Sequence, residues 1–544
     1  MIARLFRFQT SDVSCDVIIA DIGGLHRAAS RWATLLLCAA LLLAFLWVSW
    51  QYDPLQRKLR ADPSIMLYVG QQILRGNPPY ATVTIVKTPL TGILAATAIG
   101  AGRVLGWDDI FSARAGFMLL GGMLIVVTFF CGAALFSKRA GLFAALALLG
   151  MDGISQRVTD GPSPKVPFIL FGLAALWLTA RKHWFLAGAA AGLSFLTWQP
   201  GAIFVVVVWF AVFLNARSEW KRAFAYAIVG ALAPLALVAL YLAANGALDA
   251  ALKQTLGANA SYFGASKVGA GILNVLRENA ANVMRDAQQC FRHKELFMIF
   301  GAFGISAIGA HVLWRARRGH ARELFLCAPF LISVGALGAF TLVDFQSCAD
   351  VLPFFPYFAL SIGWLAAMLI TLLETRVKHL FAQRVESASP DAWFAPAATL
   401  LVCILLLSYG LAKVGRSGNA DALAQQRAMA ARVHARLDAD ESIQQFGDAV
   451  LLVLLQRENA SRFIHLGDKQ GAGILRAEGI EPAHLPSLLE RAQPRVITLS
   501  RAKDQPWAQP LYEWIEKHYT LVEGYDAQSG GTPQVTEIYL SNEK

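Results

Sequence analysis

The chain has 544 residues, of which 56% are hydrophobic and only 16% are charged, and its mean hydropathy is +0.48. Soluble globular proteins carry about 25% charged residues, so this composition excludes an ordinary soluble enzyme and predicts a polytopic membrane protein. The net charge of +11 does not indicate nucleic-acid binding, because the basic residues form short clusters between apolar runs rather than one basic domain.

Eleven near-continuous apolar runs predict a bundle of membrane-spanning helices. A further segment, residues 89–106, is ambiguous because it contains Arg103 and four glycines. It fits either a span or a helix that lies in the membrane interface. The eleven runs are residues 33–50, 113–136, 140–153, 165–180, 184–197, 200–214, 223–244, 296–313, 324–343, 351–373 and 393–412.

The Lys and Arg residues between the runs predict the topology, since positive charge accumulates in cytoplasmic loops. One set of alternate loops contains fourteen Lys and Arg residues, whereas the short loops 154–164, 198–200 and 344–350 together contain only Arg157. An N-terminus with Arg4 and Arg7 belongs on the same cytoplasmic side only if residues 89–106 do not cross the membrane. We therefore predict about eleven spans, a long external loop at 51–112 with a membrane-dipping helix, and an external C-terminus. The basic loops are residues 137–139, 181–183, 215–222, 314–323 and 375–384.

The composition changes near residue 415, where the apolar runs end and charges return. Predicted helices then alternate with short β-like runs, a pattern typical of a small α/β domain. We predict a membrane domain at 1–414, with a second external loop of moderate polarity at 245–295, and an extramembrane α/β domain at 415–544. The predicted helices are 419–441, 483–492 and 508–518, and the β-like runs are 449–455, 496–499 and 535–540.

Polar residues that could carry chemistry cluster in two predicted external loops. A carboxylate at the membrane surface beside apolar segments is costly unless it meets a cation, a metal or a substrate hydroxyl. Two such carboxylates on consecutive external loops could converge above one helix bundle. The first loop contains Asp62-Pro63, Arg75, Gly76-Asn77-Pro78-Pro79-Tyr80 and Lys87-Thr88-Pro89, and the loop at 154–164 contains Arg157 and Thr159-Asp160-Gly161-Pro162.

These residues resemble a known family. A long first loop with an acidic residue, a Gly-x-x-Pro-Tyr element ending at Tyr80 and a basic-x-Pro element ending at Pro89 is similar to membrane glycosyltransferases of the GT-C superfamily. The similarity is closest to bacterial family-39-like and aminoarabinose-transferase-like members, which use polyprenyl-phosphate sugars. It covers the arrangement of residues 30–415 and the external tail, and it implies a GT-C-like fold.

The resemblance also implies residue roles. Asp62 matches the catalytic Asp of the family's first loop, Asp160 matches the acidic position of the second external loop, and Lys87 matches the basic position near the lipid phosphate. The implied reaction is inverting transfer of a sugar from a polyprenyl-phosphate carrier to a lipid, glycan or protein acceptor. The implied location is the periplasmic face of a bacterial inner membrane. The further candidates for substrate binding are Arg75, Tyr80 and Arg157.

The chemistry of such a donor fits these residue types. Asp62 could take the proton of the acceptor hydroxyl, while Lys87, Arg75 or Arg157 neutralises the departing phosphate. Direct attack opposite the leaving group gives inversion. The chain departs from the family in having Asp62-Pro63 where many members have an acidic pair, so the sequence leaves open whether a divalent cation takes part. It also lacks a Trp-Trp-Asp-Tyr-Gly segment, which argues against transfer of a whole glycan to protein.

Each candidate also has a structural interpretation. Asp62 before a proline is a common helix start, and Asp160 in Thr-Asp-Gly-Pro is a strong turn residue. Lys87 could extend to the lipid headgroups at the start of a helix.

Two other functions remain open from the sequence. A transporter or flippase of a lipid-linked or small polar substrate is also polytopic, but such proteins place ionisable residues near the middle of the bilayer and often show repeats. Here the acidic residues gather at one face, which favours surface chemistry. A non-catalytic assembly protein would tolerate changes in the first loop. The C-terminal domain is assigned either acceptor binding or a structural role covering the site.

Cysteine usage adds one hypothesis. No Cys-x-x-Cys pair is present, so the pattern predicts neither a zinc site nor a dithiol motif. Cys290 and Cys348 fall in predicted external segments, where a disulfide between them is possible in an oxidising compartment. The cysteines within spans are interpreted as small apolar residues.

Overall fold

The computed structural model describes residues 25–263, 271–290, 294–319, 321–382, 391–412, 414, 422–466, 471–500, 505–526 and 535–542. Arg4 and Arg7, which carried the prediction of a cytoplasmic N-terminus, lie outside the described residues, as does the side chain of Cys290.

The region before residue 412 is helical, and every predicted apolar run lies on one of its helices. In chain order these are α1 (Leu25–Trp50), α2 (Ala61–Leu74), α3 (Leu90–Val104), α4 (Asp109–Leu135), α5 (Lys138–Leu149), α6 (Gly153–Asp160), α7 (Lys165–Ala180), α8 (Trp184–Thr197), α9 (Ala202–Asn215), α10 (Trp220–Ala244), α11 (Leu248–Leu252), α12 (Ala258–Phe263), α13 (Ile272–Cys290), α14 (Glu295–Arg317), α15 (Ala321–Val343), α16 (Phe355–Ala382) and α17 (Asp391–Leu411).

Seven of the described helices, namely α1, α4, α10, α14, α15, α16 and α17, are long and apolar enough to cross a membrane. Helices α5, α7, α8 and α9 are shorter, with 12 to 16 residues each, whereas a straight span needs about 20. The chain is therefore an integral membrane protein, and the count of about eleven spans stays a prediction.

Small residues allow the helices of the bundle to approach closely. A Cβ atom added to Gly188 would clash with the carbonyl oxygen of Ala227, and one added to Gly192 would clash with that of Ala231. The Gly-x-x-x-Gly pair of α8 therefore packs directly on the backbone of α10, as this pattern does in membrane helices. Gly363 brings α16 equally close to α5 at Ala140.

The first predicted external loop forms a compact unit rather than an open loop. Helix α3 has 15 residues and packs between α2 and α4: a Cβ atom on Gly70 of α2 would meet α3, and one on Gly102 of α3 would meet Ser112 of α4. Asp109, at the start of α4, accepts hydrogen bonds from Gln71 of α2 at 2.8 Å and from Arg103 of α3 at 2.8 Å. The charge of Arg103, which made this segment ambiguous, is thus neutralised at the helix ends.

The C-terminal region contains a four-stranded sheet flanked by helices. The strands are ordered β1-β2-β4-β3, with β1 parallel to β2 and the other two pairs antiparallel. In chain order the elements are α18 (Ala422–His434), β1 (Ile443–Phe446), α19 (Val450–Leu455), α20 (Gly471–Ala477), α21 (Leu485–Ala492), β2 (Val496–Leu499), α22 (Gln509–His518), β3 (Tyr519–Asp526) and β4 (Val535–Ser541).

One element of this region was wrongly predicted. The run 449–455 is a buried helix, α19, and not a strand. At the start of the helix the Asp448 carboxylate accepts a hydrogen bond from the Val450 N–H at 3.0 Å, and the Ser64 hydroxyl of α2 accepts one from the Ala449 N–H at 3.0 Å. A short, fully apolar run has no periodicity that separates a buried helix from a buried strand, so tertiary contacts decided the outcome.

The cysteine hypothesis is partly resolved. Cys348 is disulfide-bonded, whereas Cys38, Cys131, Cys327 and Cys403 are free. The side chain of Cys290 is outside the described residues, so the proposed pairing with Cys348 stays a prediction.

Candidate active site

The two predicted external loops meet at Pro63 and Gly161. Pro63 lies in the first turn of α2, and Gly161 follows α6 with a φ of 124° and a ψ of −158°, a conformation that essentially only glycine adopts. A Cβ atom on Gly161 would lie 3.4 Å from the Cβ of Pro63. The residues that precede them, Asp62 and Asp160, are therefore brought to the same end of the bundle.

Asp62 and Lys87 form the more open part of the site. The Lys87 ammonium lies 3.8 Å from a carboxylate oxygen of Asp62, with the side chains 20% and 39% exposed. Both groups are thus accessible to a substrate, and the separation is at the long end for an ion pair.

The segment before Lys87 is fixed from several sides. Gln199 and Asn259 donate hydrogen bonds to the Val86 carbonyl at 2.6 and 2.9 Å. The buried Tyr80 hydroxyl donates to the Lys87 carbonyl at 2.8 Å, and burial raises the pKa of Tyr80 well above its ordinary value. Tyr80 therefore holds the Lys87 backbone as a neutral phenol, with its hydroxyl buried.

Asp160 lies in a different environment. It is 1% exposed, and its two oxygens accept hydrogen bonds from Arg57 and from Arg60, the latter at 2.6 Å. Arg114, fully buried near the start of α4, donates to the carbonyls of Pro54 and Arg57 at 2.7 and 2.6 Å. This network ties the second loop to the segment that leads into α2.

Another basic residue, Lys165, lies near the Asp62–Lys87 pair. The Lys165 ammonium lies 2.6 Å from Asp350 and 5.7 Å from the centre of the Trp198 ring. Arg157, whose Nε donates to Ser163 at 3.0 Å, and Lys87 are both close enough to repel the Lys165 charge. Lys87, Arg157 and Lys165 thus lie near one another, with Asp62 and Asp350 as the carboxylates that face Lys87 and Lys165, and such a group of cations suits an anion.

Arg75 is not part of this site. It follows the last residue of α2, thirteen residues after Asp62, which corresponds to about 20 Å along a helix. Its guanidinium donates to the Gln456 carbonyl at 2.5 Å in the C-terminal region. Arg75 and Asp62 thus lie at opposite ends of α2, and a substrate contact of Arg75 stays a prediction.

The C-terminal region packs against one face of α2. Ser64 and Tyr68 contact the N–H groups of Ala449 and Asn459 at 3.0 and 2.9 Å. Ser64, Tyr68 and Arg75 lie roughly 200–240° around the helix from Asp62, given about 100° per residue. The C-terminal region therefore packs on the face of α2 opposite Asp62 and supports that helix.

Five charged residues of this site were absent from the sequence-based candidates. Arg57 and Arg60 follow α1 without any motif, and Lys165 and Asp350 are distant in the chain. Arg114 did carry a signal, because a charged residue near the start of an apolar run needs a buried partner. The five are Arg57, Arg60, Arg114, Lys165 and Asp350.

Among the described residues, no group of three His, Cys, Asp or Glu side chains is arranged to hold a metal ion, and the involvement of a cation stays open.

Comparison with known proteins was made by family and by structure. Residues 91–242 match the family described as dolichyl-phosphate-mannose-protein mannosyltransferase. No curated protein matches the chain.

Solved structures with a similar fold cover almost the whole chain. ArnT from Cupriavidus metallidurans in the apo state has a TM-score of 0.51 at 14% identity, over 94% of this chain and 98% of that one. The archaeal oligosaccharyltransferase AglB from Archaeoglobus fulgidus, in complex with an inhibitory peptide and a dolichol-phosphate, has a TM-score of 0.51 at 14% identity, over 93% and 74%. These likenesses confirm the predicted resemblance to GT-C membrane glycosyltransferases.

Proposed function

We propose that this GT-C-type glycosyltransferase transfers a sugar from a polyprenyl-phosphate carrier to an acceptor hydroxyl, with inversion. The observation that carries the proposal is the half-exposed Asp62–Lys87 pair beside Arg157 and Lys165. A base and an anion site lie side by side there, as the reaction requires. The dolichol-phosphate bound to the archaeal enzyme of similar fold supports a lipid-phosphate donor.

Asp62, Lys87 and Arg157 take part in the proposed sugar transfer. The acceptor oxygen attacks the anomeric carbon from the face opposite the phosphate, and its proton passes to the Asp62 carboxylate. The bond between the anomeric carbon and the phosphate oxygen breaks, and the electron pair leaves with the lipid phosphate. Lys87, with Arg157 nearby, stabilises the charge that develops on this leaving group.

Asp160 supports this reaction by fixing the segment that leads into α2, without touching the substrate. Its oxygens are held by Arg57 and Arg60, so taking a proton would require both pairs to break. Tyr80 likewise acts by holding the Lys87 backbone. Asp160 and Tyr80 are therefore positioning residues, and Asp62 is the catalytic base.

The site faces the external side of the membrane, the periplasm of a bacterium. It lies at the bundle end opposite the basic loops, and positive charge is retained in the cytoplasm. The acceptor is a lipid, a glycan or a protein, each of which presents a hydroxyl in the same way.

The test is sugar transfer by membranes that contain the full chain, supplied with a panel of radiolabelled polyprenyl-phosphate sugars. We expect wild type to consume one donor and Asp62→Asn to lower the rate by about 10² to 10⁴. The control is Asp249→Asn, which alters another external carboxylate paired with a lysine, at 2.7 Å from Lys253. Consumption of no donor, or full activity of Asp62→Asn at equal protein level, would overturn the proposal.

A further inference from the structure

A cavity lies at the opposite end of the helix bundle from Asp62. It has a volume of about 530 Å³ and is lined by the last turns of α4, α7 and α9 and by the first half of α15. Helix α7 begins at Lys165, in the candidate active site, and ends at Ala180, on the cavity. The two sites are therefore about 24 Å apart along one helix, and the cavity is unrelated to the proposed transfer reaction.

Apolar and polar side chains both line the cavity. Leu135, Leu176 and Phe330 are among the apolar residues, and Asn215 and Lys182 are among the polar ones. Asn215 donates to carbonyls of its own helix and of Phe325, both at 3.1 Å. This amide bridges α9 to α15, and it keeps the two helices joined where they border the cavity.

Thr179 is the residue that indicates a ligand. It lines the cavity and is 4% exposed, and in the described part of the chain its hydroxyl has no hydrogen-bond partner. Other helical threonines behave differently: Thr128, Thr197 and Thr371 each donate to the carbonyl four residues earlier, at 2.8 to 3.0 Å. A buried hydroxyl without a partner is costly, so the hydroxyl of Thr179 is available for a molecule in the cavity.

Lys182 supplies the charge of the ligand site. Lys182 follows α7 by two residues in the left-handed conformation, with a φ of 59°, and its N–H donates to the Thr179 carbonyl at 2.9 Å. Glycine is the usual residue at this position of a helix end, so the lysine is kept at a conformational cost. Arg181 beside it is exposed at the same membrane face.

We propose that this cavity binds an anionic phospholipid of the leaflet that faces the basic loops. The apolar walls would take part of an acyl chain, and the phosphate would accept a hydrogen bond from Thr179 and meet the charge of Lys182. Basic pockets between membrane helices on the cytoplasmic side bind anionic lipid headgroups in this way.

The test is native mass spectrometry of the purified full chain after exchange into phosphatidylglycerol or phosphatidylcholine. We expect preferential retention of phosphatidylglycerol, and we expect Lys182→Gln and Thr179→Val each to weaken it by about fivefold. Lys138→Gln, an exposed lysine on the same face outside the cavity lining, should leave it unchanged.

A second variant separates binding from folding. Lys182→Gly suits the left-handed backbone, so its Tm without lipid should equal or exceed that of wild type, while phosphatidylglycerol retention falls. Equal retention of both lipids by wild type, or unchanged retention in Lys182→Gln and Thr179→Val, would overturn the proposal. None of these results depends on sugar transfer, so failure here leaves the proposed enzymatic function untouched.

Discussion

Asp62 and Asp160 occupy opposite environments although their neighbours Pro63 and Gly161 are in contact. Asp160 is 1% exposed and holds Arg57 and Arg60, whereas Asp62 is 39% exposed and lies 3.8 Å from the Lys87 ammonium. A carboxylate whose oxygens are both occupied stabilises structure, while an accessible one can exchange a proton with a substrate. The position of a carboxylate in a motif does not show whether its role is structural or chemical. Its burial and its hydrogen-bond partners do.

The largest effect on stability is expected at Asp160. Asp160→Asn leaves two arginines facing an uncharged amide in a buried place, and loss of one partner of a buried pair costs about 3–5 kcal/mol. Asp62→Asn changes a carboxylate that is 39% exposed and lies 3.8 Å from Lys87, and we expect it to change the free energy of unfolding by less than about 0.5 kcal/mol. The measurement is thermal or denaturant unfolding of the purified full chain. Equal stability of the two variants would contradict the distinction.

A smaller effect is expected at Gly161, the contact between the two regions. Gly161→Ala introduces a side chain at a φ of 124° and against Pro63, for which we expect a cost of about 1–3 kcal/mol. Because the contact places Asp62, sugar transfer should fall as well.

Gly246→Ala is the matched control for this change. Gly246 also has a positive φ, of 66°, but nothing lies within 4 Å of an added Cβ atom. Its substitution should cost about 1 kcal/mol and leave transfer intact. If Gly161→Ala behaves in the same way, the contact with Pro63 does not position Asp62.

The smallest effect on stability is expected at Lys87. Lys87→Gln removes a half-exposed pair, so the free energy of unfolding should change by at most about 0.5 kcal/mol, while sugar transfer falls by about tenfold or more. Lys253→Gln, which breaks the exposed pair with Asp249, should have the same small effect on stability without loss of transfer. A large loss of stability in Lys87→Gln with unchanged transfer would make Lys87 a structural residue.

The positions of the membrane helices followed from the sequence, as did Asp62 and Lys87 as neighbours in one site. Apolar runs and their turns are local features, so each run lies on a helix. The helical state of 449–455 and the strands β1 and β3 were missed, because short segments take their structure from what they pack against. The sequence also did not show the contact of Arg75 with the Gln456 carbonyl, because the two residues meet only in the folded chain.

The sequence by itself predicted a polytopic membrane protein whose candidate charged residues gather at one face, because hydropathy and short motifs depend on composition and local order. Only the tertiary structure decided which carboxylate is accessible. The partners of Asp160 come from 100 and 103 residues away in the chain, and the pair of Lys165 with Asp350 spans 185. Burial and ion pairing across such separations arise only when the helices have packed, so no local pattern could have assigned them.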